Sequence, residues 1–170
     1  MNYRKRRLPS REDIRRTISG AGASAEPEAP ELALAVMSAA GLVHEEILEP
    51  LEREEGLSEG KFILLMALRS RPDGLGVQAL AEAVGVSVPT ISVMLKRMQA
   101  AAKPLAAVER DPGNGRARVV KITEEGKALL KRVLPVHIER EEKLARRLDK
   151  RDLDQLVRLL MKLLESEPRA

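Results

Sequence analysis

Apolar residues fall along most of this chain at intervals of three and four, the spacing of helices that bury one face. Between Glu31 and Glu49 the stripe is Leu32, Val36, Ala39, Val43 and Ile47, and Pro50 is expected to end or kink that helix. Ser58 and Glu59 open a second helix through about Arg69, with Phe62, Leu65, Met66 and Leu68 facing inward. Two short apolar-periodic helices follow within residues 77–101, then an alternating pattern at 105–110 and 117–122 that predicts a β-hairpin. Thr123, followed by Glu124 and Glu125, caps a helix with Leu129, Leu130, Val133 and Leu134. A kink is expected at Pro135, with Ile138, Leu144 and Leu148 continuing that helix. A last helix opens at Asp149–Asp152 and carries Leu153, Leu156, Val157, Leu160, Leu163 and Leu164. That is more leucine than a lone terminal helix would leave in water.

The stretch from Val77 to Arg97 is the most specific. Leu80, Ala81, Val84, Val86, Ile91 and Met94 form its inward positions, with Val86 plugging the turn. Ala81 is small where two helices cross closely. Gly85 leaves the first helix in a conformation that strains any residue with a Cβ. Ser87 can cap the second helix, and Pro89 falls in its first turn, where a missing N–H costs nothing. Together these make a helix-turn-helix, whose second helix enters the DNA major groove. The bland alternative is an αα-corner of the kind any helical domain contains.

The hairpin adds to the same picture. Its turn, Asp111-Pro112-Gly113-Asn114-Gly115-Arg116, is flanked by Arg110, Arg118 and Lys121. A two-stranded loop with arginine at its tip, directly after a recognition helix, is a wing, and Arg116 is suited to a narrow minor groove.

Composition excludes more than it assigns. The chain has 170 residues, no cysteine and no tryptophan, with one tyrosine and one phenylalanine. Disulfides and thiolate metal sites are absent, and base stacking on aromatic platforms is not expected. No apolar run reaches the ~20 residues of a membrane span, and no apolar segment follows the basic start as in a secretory signal. A cytoplasmic location is therefore expected. Charge is segregated: residues 1–20 hold seven Lys/Arg against two acids, residues 21–60 ten acids against one arginine, and residues 61–151 nineteen bases against ten acids. A basic tail and a basic body flank an acidic helix, as expected where one face meets phosphate and another meets protein.

The tail itself begins with Arg4, Lys5, Arg6 and Arg7, and Ser10 then caps a short helix through Ile18. Residues 20–30 read as a flexible linker; their formal Gly20-x-Gly22-x-x-Ala25 match to a dinucleotide fingerprint lacks a preceding strand and meets Pro27. His44-Glu45 resembles the start of a zinc-protease motif, but position 48 is leucine, so no metal or cofactor site is expected. The acidic run Glu45–Glu55 reads as a solvated helix face, and Met66 and Met94 as core. No nucleophile–base arrangement or phosphate loop is present, so no enzyme activity is expected.

The order helix, helix, helix-turn-helix, arginine-tipped wing, long helix, terminal helix resembles the MarR family of winged helix-turn-helix regulators over about residues 31–165. The segments LSEGKFILLMAL, SVPTISVMLKRM and ERDPGNGRARVVKITEEGKALL carry the resemblance. It implies that the first and the last two helices of two subunits interlock as a homodimer, and that a small, often phenolic or anionic, effector binds between the dimer and DNA-binding parts. Two departures stand out. The family's wing commonly has Asp-x-Arg where this chain has Asn114-Gly115-Arg116, and its usual Gly-Leu after the recognition helix is replaced by Ala100-Ala101-Ala102-Lys103-Pro104-Leu105.

The expected fold is mainly α with a small β-wing: a winged helix-turn-helix domain plus a helical dimerisation region. Residues 1–30 form a basic arm and linker, 31–56 a dimerisation helix, 57–122 the DNA-binding domain and 123–170 the C-terminal dimerisation helices. The expected function is a dimeric, sequence-specific regulator that binds double-stranded DNA and not membranes. Ser87, Val88, Pro89, Thr90, Ser92, Val93, Lys96 and Arg97 are its recognition-helix contacts, Arg116 and Arg118 its wing contacts, and Arg4, Lys5, Arg6 and Arg7 its arm contacts. Thr90 and Ser92 can hydrogen-bond bases or phosphates, and Val93 can touch a thymine methyl. The alternative is a winged-helix adaptor that binds protein through the acidic first helix and the leucine-rich terminus.

Overall fold

The computed structural model describes residues 7–110 and 118–165. Its first helix, α1 (Arg11–Gly20), starts at a reciprocal cap: the Ser10 hydroxyl accepts from the Asp13 N–H, and the Asp13 carboxylate accepts from the Ser10 N–H. It runs two residues beyond the expected end and does not hang free. Ile14 is buried, and Arg11 Nε donates to Glu31 at 2.7 Å across to the next helix.

That next helix, α2 (Glu28–Val43), begins inside the stretch expected to be a flexible linker. Pro30 lies in its first turn, where no N–H is required, so a proline that suggested a loop is compatible with helix. The connection shortens to residues 21–27.

The sequence led to an end or a kink at Pro50, but the helical rod does not end there. A π-helical turn at His44–Leu48 passes directly into α3 (Glu49–Glu55), in which Pro50 is buried. A proline ring would collide with the carbonyl four residues back in a regular α-helix. Here the turn before it is widened, with the Glu49 N–H bonding the His44 carbonyl five residues back. The rod stops instead at Gly56, whose φ of 64° is left-handed.

The expected helix from Glu59 to Arg69 is observed as α4. Phe62, Leu64, Leu65 and Leu68 are buried in it, Leu64 in addition to the residues expected. The helix-turn-helix is α5 (Val77–Val84) and α6 (Val88–Gln99), with Gly85 left-handed at φ 75°. Leu80, Ala81 and Ile91 are buried and Val84 and Met94 partly so, as expected. Val86 does not plug the turn: it is exposed, its N–H bonds the Ala81 carbonyl, and Leu95 and Met98 fill the interior instead.

The hairpin strands are β2 (Ala106–Arg110) and β3 (Arg118–Ile122), joined by an unexpected two-residue strand, β1 (Leu75–Gly76), into an antiparallel sheet of order β1-β3-β2. Gly74 has φ 91°, and a Cβ there would lie 2.8 Å from the Val120 carbonyl oxygen. Only glycine lets the chain turn so close against β3.

Thr123 caps α7 (Glu124–Ala145), which continues through Pro135 as one helix. The Asp149 carboxylate accepts from the Asp152 N–H and starts α8 (Lys150–Glu165). The core gathers α4, α5, α6, the sheet and the first half of α7 around Leu64, Leu65, Leu68, Leu80, Ile91 and Leu130.

Three ion pairs hold α7 and the segment after it against the acidic rod. Arg147 meets Glu46 at 2.7 Å, Arg140 meets Glu54 at 2.8 Å and Arg132 meets Glu55 at 2.6 Å. The run expected to be merely solvated is therefore a clamp. The Arg140 hydrogen bond, opposed in part by desolvation, holds the Glu54 carboxyl below its ordinary range, and the Glu55 hydrogen bond raises Arg132.

In contrast, α8 has no buried residue. Leu164 is 79% exposed, and Leu156, Val157, Leu159, Leu160 and Leu163 are also open to solvent. So are Leu32, Val36 and Val43 of the stripe on α2, and Met37 beside them. Among the described residues, no single helix is long and apolar enough to cross a membrane.

Candidate nucleic-acid interface

The presentation of α6 follows from its sequence. Ile91, Leu95 and Met98 recur at helical spacing and are buried, which turns Pro89, Ser92, Val93 and Lys96 to the opposite side. Val88, Thr90 and Arg97 flank that outward face and are also exposed. The start of the helix is fixed by Ser87, whose hydroxyl accepts from the Thr90 N–H at 3.3 Å and lies 2.8 Å from the Thr90 hydroxyl. Pro89 adds a preset φ in the first turn. The Ser92 hydroxyl donates to the Val88 carbonyl at 2.9 Å, leaving its oxygen lone pairs to accept from outside.

No ion pair engages Lys96 or Arg97 among the described residues. The outward face of α6 therefore carries Pro89, Ser92 and Val93, with Lys96 and Arg97, unpaired among the described residues, toward its end. That chemistry suits a groove edge and its phosphates.

The wing is aligned by its own register. Arg110 pairs with Arg118, Val108 with Val120 and Ala106 with Ile122. Val120 and Ala106 are fully buried, which anchors the base of the hairpin on the core and projects its far end. At that far end Arg110 and Arg118 are both exposed. Lys121 is less available than its charge suggests, because it pairs with Glu109 at 3.1 Å.

The wing is also tied to the helix behind it. The Thr123 hydroxyl donates to the Pro104 carbonyl at 2.7 Å and accepts from the Gly126 N–H at 3.1 Å, while the Thr123 N–H bonds the Leu105 carbonyl. This knot secures the unusual segment after α6, which leaves the helix at Gln99 and enters β2 at Ala106.

Of the remaining candidates, Arg7 is described and exposed, while Arg4, Lys5, Arg6 and Arg116 lie outside the described residues. The sequence reading did not single out Arg110 as a contact. Counting the alternation outward from Val108 and Val120 would have found it, since the register puts it opposite Arg118. The described residues contain no cluster of His, Cys, Asp or Glu suited to a metal ion.

No family model and no curated protein matches this chain. Solved structures do. The transcriptional repressor CouR bound to a 23-mer DNA duplex aligns with a TM-score of 0.69 at 24% identity, over 79% of this chain and 92% of that one. Sco3205, a MarR family transcriptional regulator from Streptomyces coelicolor solved with DNA, aligns with a TM-score of 0.70 at 21% identity, covering 85% of this chain and 92% of that one. The Staphylococcus aureus MepR–DNA complex aligns with a TM-score of 0.69 at 21% identity, over 79% and 97% of the two chains. Likeness at such identities speaks of architecture, and with the helix order, turn and wing described above it leads to one conclusion: this chain has the winged helix-turn-helix fold of the MarR-family regulators.

Proposed function

We propose that the protein is a dimeric, sequence-specific DNA-binding transcriptional regulator of MarR type, responsive to a small molecule, and not an enzyme. The observation that carries the reading is the outward face of α6, where Ser92, Val93, Lys96 and Arg97 are exposed and the two cations have no counter-charge among the described residues. Three similar folds solved with DNA support the same reading.

In the proposed docking, α6 lies in the major groove with Val88, Pro89, Thr90 and Ser87 at its leading end. Val93 meets a thymine methyl, Ser92 and Thr90 meet base edges or phosphates, and Lys96 and Arg97 meet the backbone. No Arg, Asn or Gln heads the helix, so phosphate contacts and DNA shape supply much of the affinity. Arg116 and Arg118 extend the contact from the wing into the neighbouring minor groove.

Dimerisation completes the proposal. The exposed apolar residues of α2 and α8 exceed what a single soluble chain leaves in water, and a second copy supplies matching surfaces. Residues 31–56 and 123–170 then form the dimer part and 57–122 the DNA-binding part, in the cytoplasm. The test is selection from a pool of random duplexes. Enrichment of a pseudo-palindrome with half-sites about one helical turn apart supports the reading, and no enriched sequence contradicts it.

A further inference from the structure

The leading end of α6 carries three hydroxyls whose hydrogen-bonding capacity is largely used within the helix itself. One proton is shared between the Ser87 and Thr90 hydroxyl oxygens, 2.8 Å apart, and the Ser87 oxygen also accepts from the Thr90 N–H. The Ser92 proton goes to the Val88 carbonyl at 2.9 Å. Of the three hydroxyl protons, one is left to point outward. A bidentate contact to adenine or guanine takes two polar groups on one side chain, which none of these residues has.

What faces outward there is apolar. Val86 is 36% exposed, Val88 37% and Val93 51%, with Pro89 exposed beside them. Pro89 and Val93 are four residues apart and stand one above the other, on the side opposite the buried Ile91 and Leu95. Lys96 and Arg97, with no ion pair among the described residues, continue that side one turn further on. An apolar ridge that runs into two cations matches a polyanion that presents an apolar group between its phosphates. In the major groove that group is the C5-methyl of thymine. Uracil and cytosine lack it, and 5-methylcytosine carries it at the same ring position.

We propose that the leading end of α6 selects duplexes by their pyrimidine C5-methyl groups. Val93 and Pro89 make the contact, and Val86 and Val88 close it off from water. At a contacted step 5-methylcytosine then replaces thymine, while uracil and unmodified cytosine do not. Methylation of a cytosine at such a step therefore strengthens binding. This inference deepens the DNA-binding reading and rests on it.

The experiment uses the full chain and the duplex most enriched from a random pool. Each thymine in turn is replaced by deoxyuridine, which removes one methyl and keeps every hydrogen-bonding group. At the contacted steps, affinity should fall about fourfold for each methyl lost. At those same steps a 5-methylcytosine·guanine pair should bind about fourfold more tightly than a cytosine·guanine pair. Val93→Ser should bring the thymine-to-deoxyuridine affinity ratio close to one, whereas Lys96→Ala should weaken both duplexes by the same factor, with circular dichroism reporting that each variant is folded. The inference is overturned if no deoxyuridine replacement changes affinity, if 5-methylcytosine binds no better than cytosine, or if Val93→Ser keeps the wild-type ratio. Any of these results, obtained on an enriched duplex, leaves the regulator reading standing; a pool from which no duplex is enriched overturns both.

Discussion

Arg110 and Arg118 stand directly opposite each other across the two wing strands, both exposed. Like charges facing each other in this way cost a few tenths to about 1 kcal/mol in isolation. Nearer the base of the same hairpin, Glu109 and Lys121 form the opposite arrangement, an ion pair. The projecting end of the wing thus concentrates positive charge against its own stability, which is useful where an anion supplies the missing partner.

Arg118→Thr separates those two effects. The substitution keeps a β-favouring residue and removes the repulsion, so the folded protein should be unchanged or more stable by up to about 0.5 kcal/mol in urea unfolding. Affinity for every duplex should nevertheless fall. Loss of stability together with unchanged DNA affinity would mean that the arginine serves the fold.

Gly126 sits where α7 meets the wing. A Cβ there would press on the Leu105 carbonyl oxygen and lie 2.7 Å from Ile122 Cγ1. Gly126→Ala removes the glycine penalty within a helix, worth roughly 1 kcal/mol, yet it should destabilise the protein by about 1–3 kcal/mol because Leu105 belongs to the Thr123 knot and Ile122 closes β3. Thermal unfolding that shows a more stable variant would mean the knot yields readily.

For the dimer, Leu156→Asp combined with Leu160→Asp puts charge into the exposed face of α8 without touching the core, since neither residue is buried. Sedimentation should show the wild type as a dimer at micromolar concentration and the variant as monomeric or unfolded. A folded wild-type monomer at that concentration contradicts the proposed assembly.

The N-terminal arm calls for a narrower expectation than its sequence suggests. Residues 1–19 carry a net charge of +5, and the rest of the chain sums to −1. Among the described residues of this arm, Arg11 pairs with Glu31 and Glu28, and Arg16 with Glu12 and Asp13. Deleting residues 1–20 should reduce duplex affinity and flatten its salt dependence without changing the preferred sequence. Identical affinity and slope in the truncated protein would assign α1 a packing role only.

What was legible in the sequence was what local chemistry decides. Gly85, Ser87 and Pro89 each have one comfortable place in a helix–turn–helix, and they occupy it. The hairpin strands began within one residue of their expected starts because strand alternation and turn composition agreed. Features decided at a distance were not legible. The partners Glu54 and Arg140 are far apart in sequence, and nothing near either one announces the other. Strand β1 is two residues long, too short to show a period. The widened turn before Pro50 depends on a hydrogen bond five residues back, a rare solution beside the expected break. On the candidate interface, the outward face of α6 was readable from the positions that its core stripe leaves over, whereas the engagement of Lys121 by Glu109 required the register.

The central claim is that the outward face of α6 holds DNA through its backbone and grooves, and the salt dependence of duplex binding tests it most directly. For the wild type, the logarithm of the association constant should fall steeply and linearly with the logarithm of salt concentration, from sub-micromolar affinity at low salt. Lys96→Ala should reduce the magnitude of that slope by about 0.9 for each phosphate that the ammonium neutralises. A protein that binds no duplex at any salt concentration, or a Lys96→Ala variant with the wild-type slope and affinity, would contradict the account.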